Sequence, residues 1–265
     1  MRKLVFSVAT LLALVVLSCG KDAPSTTVIP DDDNQQEQPT PEPEYEVFFK
    51  GTTISFANYM QDFGLVYREG GVETNPYVSV KRHGANIVRL QLDREPFAEI
   101  RGVTIDWQQM ERVVEDAKCA QAEGLEIMLT LKPDYDKFTA TTTQHNNIPE
   151  DWKSLNEVEL GGALYDWVYG SLESLYAEGI TPRIVAVGNE VNIGFLLNGS
   201  NDAERTGRLL TYGHNAVRDF ARDREVDIIS AVHIANPSKA PGYLASFHKV
   251  GATNYDIVAL SWYPG

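Results

Sequence analysis

From Phe48 onward, short apolar runs alternate with longer amphipathic stretches, the pattern of βα units feeding a parallel sheet. The apolar runs predict strands at 52–56, 86–92, 125–131, 183–189, 227–233 and 256–262. Between them a helical periodicity predicts 76–83, closed by Gly84, and 107–123, with Asp106 as its cap and Gly124 as its stop. Further helices are predicted at 155–178, at 203–222 (opened by Ser200 to Asp202) and at 243–250. Residues 132–153 break the rhythm. They are polar and too long for a routine connection, which predicts a loop over the active face. Tyr135, His145 and Trp152 in that loop suit ligand contact and loop packing equally.

The six strands repeat one pattern with no closing pair. A closed barrel takes about 250 residues of repeat, more than 46–265 offers. The expected fold is therefore α/β, a (β/α)8 TIM barrel of which about the first six βα units are present. An open doubly wound sheet is the alternative, but no glycine-rich phosphate turn follows the first strand.

One stretch organises the rest: Val185-Ala186-Val187-Gly188-Asn189-Glu190-Val191-Asn192. It starts as a strand buried on both faces and ends abruptly in glycine, amide and carboxylate. In a barrel the C-terminal mouth of the strands is where chemistry is done. The other strand ends add Arg89, His233, Trp262 and Tyr263 to Asn189 and Glu190. Each has a structural alternative: a rim salt bridge for Arg89, a satisfied core histidine for His233, packing for Trp262. Together they place an acid, an amide, an imidazole, a guanidinium and aromatics at one mouth. That set suits a sugar, with its apolar faces and hydroxyl edges.

Composition narrows the partners. Residues 1–18 open with Arg2 and Lys3 and continue as an apolar run, which reads as a secretory signal. The run falls short of the ~20 residues that span a bilayer. Val16-Leu17-Ser18-Cys19 resembles a bacterial lipoprotein signal, implying lipidation at Cys19. Residues 19–45 are acidic and proline-rich, a flexible tether ahead of the folded domain at 46–265. Gly20-Lys21-Asp22 resembles a short signal that sends lipoproteins of this kind to the outer membrane's external surface. The net charge is −14, and −16 once Arg2 and Lys3 are removed. Such an excess argues against nucleic acid and anionic headgroups, and fits a neutral polysaccharide. Cys119 is the other cysteine, a small core residue by its helical pattern. No metal cluster and no cofactor can be drawn from the sequence, which does not read for or against calcium. A monomer is expected.

At the level of motifs, the chain resembles glycoside hydrolase clan A through Asn189-Glu190 at the end of strand four. Within the clan it is similar to the endo-β-1,4-galactanases of glycoside hydrolase family 53. Gly51 with Ile54-Ser55, Asn86 to Leu90 ending in Pro96, and Val187 to Val191 with Gly194 carry that likeness. So do Ala231 to Asn236 around His233, and Tyr255 to Pro264. The resemblance implies a retaining endo-glycosidase acting on β-1,4-galactan or arabinogalactan side chains of plant pectin. Glu190 would be the general acid/base and Asn189 the partner of the sugar 2-hydroxyl. Arg89 and Tyr263 would flank the nucleophile, with His233 and Trp262 in the same pocket. The nucleophile, a glutamate ending strand seven, has no counterpart in 1–265. Thr53, Gln91, Asp93, Thr130-Leu131-Lys132 and Leu197 stand where the family carries other residues. Those departures put galactan specificity in question and leave two alternatives: another clan A β-glycanase, on mannan or glucan, or a non-catalytic surface glycan-binding protein.

Overall fold

The computed structural model describes residues 48–95, 98–100, 103–105, 108–138 and 143–263. The leader, Cys19 and the tether lie outside the described residues, as do Pro96, Asp106, Trp107 and Pro264.

Six parallel strands form one curled sheet: β1 (Gly51–Thr53), β2 (Ile87–Asp93), β3 (Glu126–Lys132), β4 (Ile184–Val187), β5 (Ile229–Ala235) and β6 (Ile257–Ser261). They lie in the order of the chain, so each strand neighbours the next. That is the layout of the first six units of a (β/α)8 barrel, with helices on every crossover. The helices are α1 (Ala57–Asp62), α2 (Pro76–Arg82), α3 (Met110–Ala122), α4 (Glu157–Ala177), α5 (Ala203–Arg224) and α6 (Ala240–Lys249).

Side chains alternate across a strand with a period of two, so each strand feeds two layers. Val88, Leu90, Leu92, Ile127, Leu129, Leu131, Val185, Val187, Val232 and Ile234 point outward into the main core against the helices. The opposite face begins with a small apolar floor of Ile87, Ile184, Ala186 and Ala231, with Met128 and Ile229 packed on it. Two residues further along each strand that face turns polar: Arg89, Gln91 and Asp93 on β2, Thr130 and Lys132 on β3, His233 on β5, Ser261 on β6. Register aligns these rows. Arg89 pairs with Met128 and Asp93 with Lys132, Ala186 sits between Thr130 and Ala231, and His233 pairs with Ala259. The interior thus grades from hydrocarbon at the bottom to ionisable groups at the mouth.

Capping sets the long helices. Asn156 accepts from Val158 and Glu159 N–H while Glu159 reaches back to the Asn156 N–H, a complete capping box for α4. Asp202 caps α5 by accepting from Glu204 and Arg205. Gly213 of α5 lets that helix touch β4 directly, since a Cβ there would come 2.6 Å from Val187 Cγ1.

Four expectations are corrected. The first strand stops at Thr53, and the chain turns at Ile54 into the unforeseen α1, with Ala57 N–H bonded to the Ile54 carbonyl. Helix α3 begins at Met110 behind Gln109, without a side-chain cap. Gln108 and Gln109 are instead held by β2: Asp93 N–H donates to the Gln108 carbonyl and Gln109 Nε2 to the Asp93 carbonyl. The 132–153 excursion is a hairpin, Tyr135–Phe138 with Thr143–Asn147, followed by a 3-10 turn at Glu150–Trp152. Two small hairpins, Arg68–Glu69 with Val72–Glu73 and Ala98–Ile100 with Val103–Ile105, went unread because pieces this short carry no periodicity.

The Gly213 contact makes a test. In an open helix position glycine to alanine stabilises by about 0.5–1 kcal/mol, as expected for Gly170→Ala, where nothing lies within 4 Å. Gly213→Ala should instead destabilise by about 1–3 kcal/mol, because Val187 must move. Urea unfolding of the two variants beside the parent checks the opposite signs.

Candidate active site

The site is built on the turn that ends β4. Gly188 N–H donates to the Leu131 carbonyl at 2.7 Å, the last rung of the ladder with β3. Gly188 then takes φ +82°, and a Cβ there would lie 2.5 Å from Val191 Cγ1 and 2.8 Å from Phe195 Cε2. Conformation and space both demand glycine. Glu190 follows at φ 50°, a left-handed backbone that costs a side-chain-bearing residue about 1 kcal/mol or more.

Bonds to β5 hold the turn there. Glu190 N–H donates to His233 Nδ1 at 3.2 Å, and Val191 N–H to the His233 carbonyl at 2.9 Å. Asn192 closes the set: its Nδ2 donates to the Ala235 carbonyl at 2.9 Å and its Oδ1 accepts the Ala235 N–H at 2.6 Å. Its side chain thereby imitates one more residue of strand. Below, Phe195 is fully buried and anchors the loop by about 2–3 kcal/mol of apolar burial.

Arg89 crosses the interior from β2 to this turn. Its Nη2 donates to Asn189 Oδ1 at 2.9 Å, and its Nε to Thr130 Oγ1 at 2.9 Å. A guanidinium only donates, so the Asn189 oxygen must face it and the amide hydrogens are left for another acceptor. Burial pulls the Arg89 pKa down, while the charges of Glu190, Tyr263 and Asp93 act to raise it. Glu190 therefore shares one electrostatic neighbourhood with a buried cation and a phenol.

His233 is neutral. Burial, and then Arg89, push it down to about 4, against an upward pull from Glu190. Since a backbone N–H can only donate, Nδ1 is the accepting nitrogen and the proton sits on Nε2, 2.8 Å from Ser261 Oγ. The structure thus brings Arg89, Asn189, Glu190 and His233 together: Arg89 bonds Asn189 and Thr130, and His233 is a buried histidine with both ring nitrogens hydrogen-bonded, one of them to the Glu190 peptide. Trp262 and Tyr263 follow β6 and are exposed, as is part of β6 itself, the edge strand of the sheet.

Of the departing residues, Thr53 is exposed, whereas Asp93 and Lys132 are buried. Asp93 is buried, accepts from Gln91 Nε2 at 2.8 Å, and is raised to about 7 by burial, with Gln91 and Lys132 opposing. Lys132 turns its ammonium to Asp134 (2.8 Å) and Asp136 (3.4 Å). Asp136 also accepts the Asn146 N–H at 2.9 Å, and Asp134 the Leu196 N–H at 3.4 Å. This buried network ties β3 to its hairpin and to the loop behind Glu190. Trp152 is likewise packing, buried beneath the Arg94 guanidinium at 4.3 Å. Tyr135 stays half-buried and lines a hollow with Glu95, Glu150 and Asp151. His145 Nδ1 lies 3.4 Å from Asp136 Oδ1.

Asn192, Thr130 and Ser261 belong to the site although sequence reasoning assigned none of them a role there. Ser261 had a legible signal, lying two residues after Ala259, the register partner of His233. Among the described residues no group of three or more His, Cys, Asp or Glu side chains forms a cation site, and no helix is long and apolar enough to cross a membrane.

Known proteins resemble this chain in sequence and fold. An arabinogalactan endo-beta-1,4-galactanase of Cellvibrio japonicus is 30% identical over 224 residues, 82% of this chain and 57% of its own length. An endo-beta-1,4-galactanase of Bacillus subtilis is 27% identical over 221 residues, 82% of this chain and 49% of its own. The chain therefore spans about half to three fifths of the curated relatives it matches. Among solved structures, the Ignisphaera aggregans GH53 catalytic domain superposes with a TM-score of 0.70 at 26% identity, covering 85% of this chain and 62% of that one. A fungal beta-1,4-galactanase structure, 20% identical with a TM-score of 0.66 over 82% of this chain and 64% of that one, shares the fold. The profile of glycosyl hydrolase family 53 matches residues 49–265. With that match the identification is complete: this chain belongs to glycosyl hydrolase family 53.

Proposed function

We propose that the protein is a retaining endo-glycosidase that hydrolyses β-1,4-galactan or arabinogalactan side chains of plant pectin. The observation that carries this is the Asn189–Glu190 turn, pinned on β5 and facing Arg89, in a chain of family 53. Glu190 is the general acid that protonates the leaving oxygen, and afterwards the base that activates water. Asn189, its oxygen held by Arg89, presents its amide hydrogens to the sugar 2-hydroxyl, a contact that strengthens as the ring flattens toward an oxocarbenium ion. The attacking carboxylate is a strand-seven glutamate that residues 1–265 do not supply. Arg89 and Tyr263 stand beside its position, where a cation and a donated hydrogen bond keep a carboxylate ionised. Trp262 offers an exposed ring for a sugar face. No cofactor enters the reaction.

We place the enzyme on the outer surface of a bacterial outer membrane, as a monomer held by lipid at Cys19 on the 19–45 tether. The basic start, the apolar run and the small residue before Cys19 support this. Cys19→Ala should move the protein from the membrane pellet to the soluble fraction, as a fractionated immunoblot would show. Equal membrane retention would remove the anchor.

In the complete barrel, Glu190→Gln should lower cleavage of polymeric galactan by about 10² to 10⁴, the usual contribution of a positioned acid. Release of a good aryl leaving group, which needs little protonation, should survive. Initial rates on both substrates check this, and parallel loss on both would take the acid role from Glu190.

A retaining pair stands about 5–5.5 Å apart, leaving no room for an intervening water, so two inversions preserve the β configuration. Proton NMR of a fresh galactan digest should show the β-anomer before mutarotation. An α-anomer first would rule the mechanism out.

A further inference from the structure

We infer that Ser261 is a positioning residue: by accepting the hydrogen bond of His233 Nε2–H it holds the ring with its bare Nδ1 on the Glu190 N–H, and so steadies the backbone that carries the acid. This rests on reading Glu190 as the acid/base.

The geometry forms one chain across three strand ends. Ser261 Oγ lies 2.8 Å from His233 Nε2, and His233 Nδ1 lies 3.2 Å from Glu190 N. A neutral imidazole carries one proton, and its location decides whether the opposite nitrogen accepts or repels an N–H. With the proton on Nε2 the Glu190 N–H has an acceptor. With the proton on Nδ1, two hydrogens face each other and Glu190 loses the bond opposing its left-handed strain at φ 50°. The Glu190 N–H, which can only donate, selects the Nε2 proton, and the serine hydroxyl, on the inward row of β6, gives that proton its partner and holds the ring in place. The Val191 N–H bond to the His233 carbonyl is indifferent to the tautomer, so the turn would persist while the Glu190 peptide swings.

Charged groups around the ring come from two elements. Arg89 from β2 disfavours a second proton and Glu190 from the β4 turn favours it, with burial the largest influence. The ring therefore stays neutral until the pH falls to about 4. Below that both nitrogens are protonated and the Glu190 bond is lost, so the lock holds above that pH and opens as acid is added.

The test is nitrogen-15 NMR on histidine- and glutamate-labelled protein, with the five histidines assigned by single substitution. Expected in the parent at pH 7 is a His233 ring protonated on Nε2 only. Ser261→Ala should leave Nε2 without its partner, loosen the ring and give roughly tenfold faster exchange of the Glu190 amide, while the Glu190 N–H keeps the proton on Nε2. Ser261→Thr, which keeps the hydroxyl, should restore the parent exchange rate. His214, whose Nδ1 lies 2.7 Å from Ser230 Oγ, serves as the internal control and should not respond. A proton on Nδ1 of His233 in the parent, or an alanine variant with unchanged exchange of the Glu190 amide, would overturn the proposal. A second arm uses the complete enzyme: Ser261→Ala should lower kcat on polymer roughly tenfold at constant KM, and spare substrates with good leaving groups. Unequal loss of this kind separates positioning from general damage, which would lower both. Should Glu190 prove not to be the acid, the kinetic arm fails while the tautomer arm still stands or falls by itself.

Discussion

Everything at this site depends on a peptide that would not choose its own conformation. Glu190 sits in the left-handed region, and Gly188 two residues earlier does the same without a side chain to object. Isolated, the sequence would relax. It is held because β5 supplies acceptors and donors in register with the turn: an imidazole nitrogen, a carbonyl, and the two groups that clamp Asn192. The sheet is thus more than a platform. Its fifth strand sets the direction in which the fourth strand's carboxylate emerges.

Around that turn the parallel sheet works as a dielectric gradient. The floor of Ile87, Ile184, Ala186 and Ala231 keeps water out from below. Two residues higher, Arg89 and His233 stand where burial weighs on any charge, and their pKa directions show it: both are pulled down by desolvation. A charge formed here during reaction feels its neighbours more strongly than it would at the surface. Asp93 and Lys132 lie in the next inward row, where burial raises Asp93 to about 7 and the Lys132 charge is met by Asp134 and Asp136. That network stiffens the wall of the mouth and links it, through the Leu196 amide, to the loop behind Glu190.

The alternation of apolar runs and amphipathic stretches was enough to place the six strands and the long helices, because two-faced burial leaves a strong periodic mark. Asn189, Glu190, Arg89 and His233 were readable for the same reason: a polar residue that ends a buried strand stands out. What did not show was anything decided by a partner distant in sequence. The start of α3 depends on Gln108 and Gln109 being held by β2. The role of Lys132 depends on Asp134 and Asp136 folding back across a hairpin. Trp152, aromatic and in a polar stretch, suited ligand contact and packing equally, and its burial under the Arg94 side chain shows it to be packing. Residues 1–47 and the other stretches outside the described residues stay with the sequence reading alone.

The backbone at residue 190 has a consequence for how such a chain can change over generations. A left-handed position bars β-branched side chains and accepts glycine or asparagine with least strain. A lineage released from the need to cut glycans would therefore not scatter at this codon. It would drift toward a narrow set of replacements, glycine and asparagine foremost, and those would relax the turn while the Asn192 clamp kept its outline. Retired enzymes built on this turn should carry that bias as a fossil, distinguishable from the even spread at an unstrained surface acid.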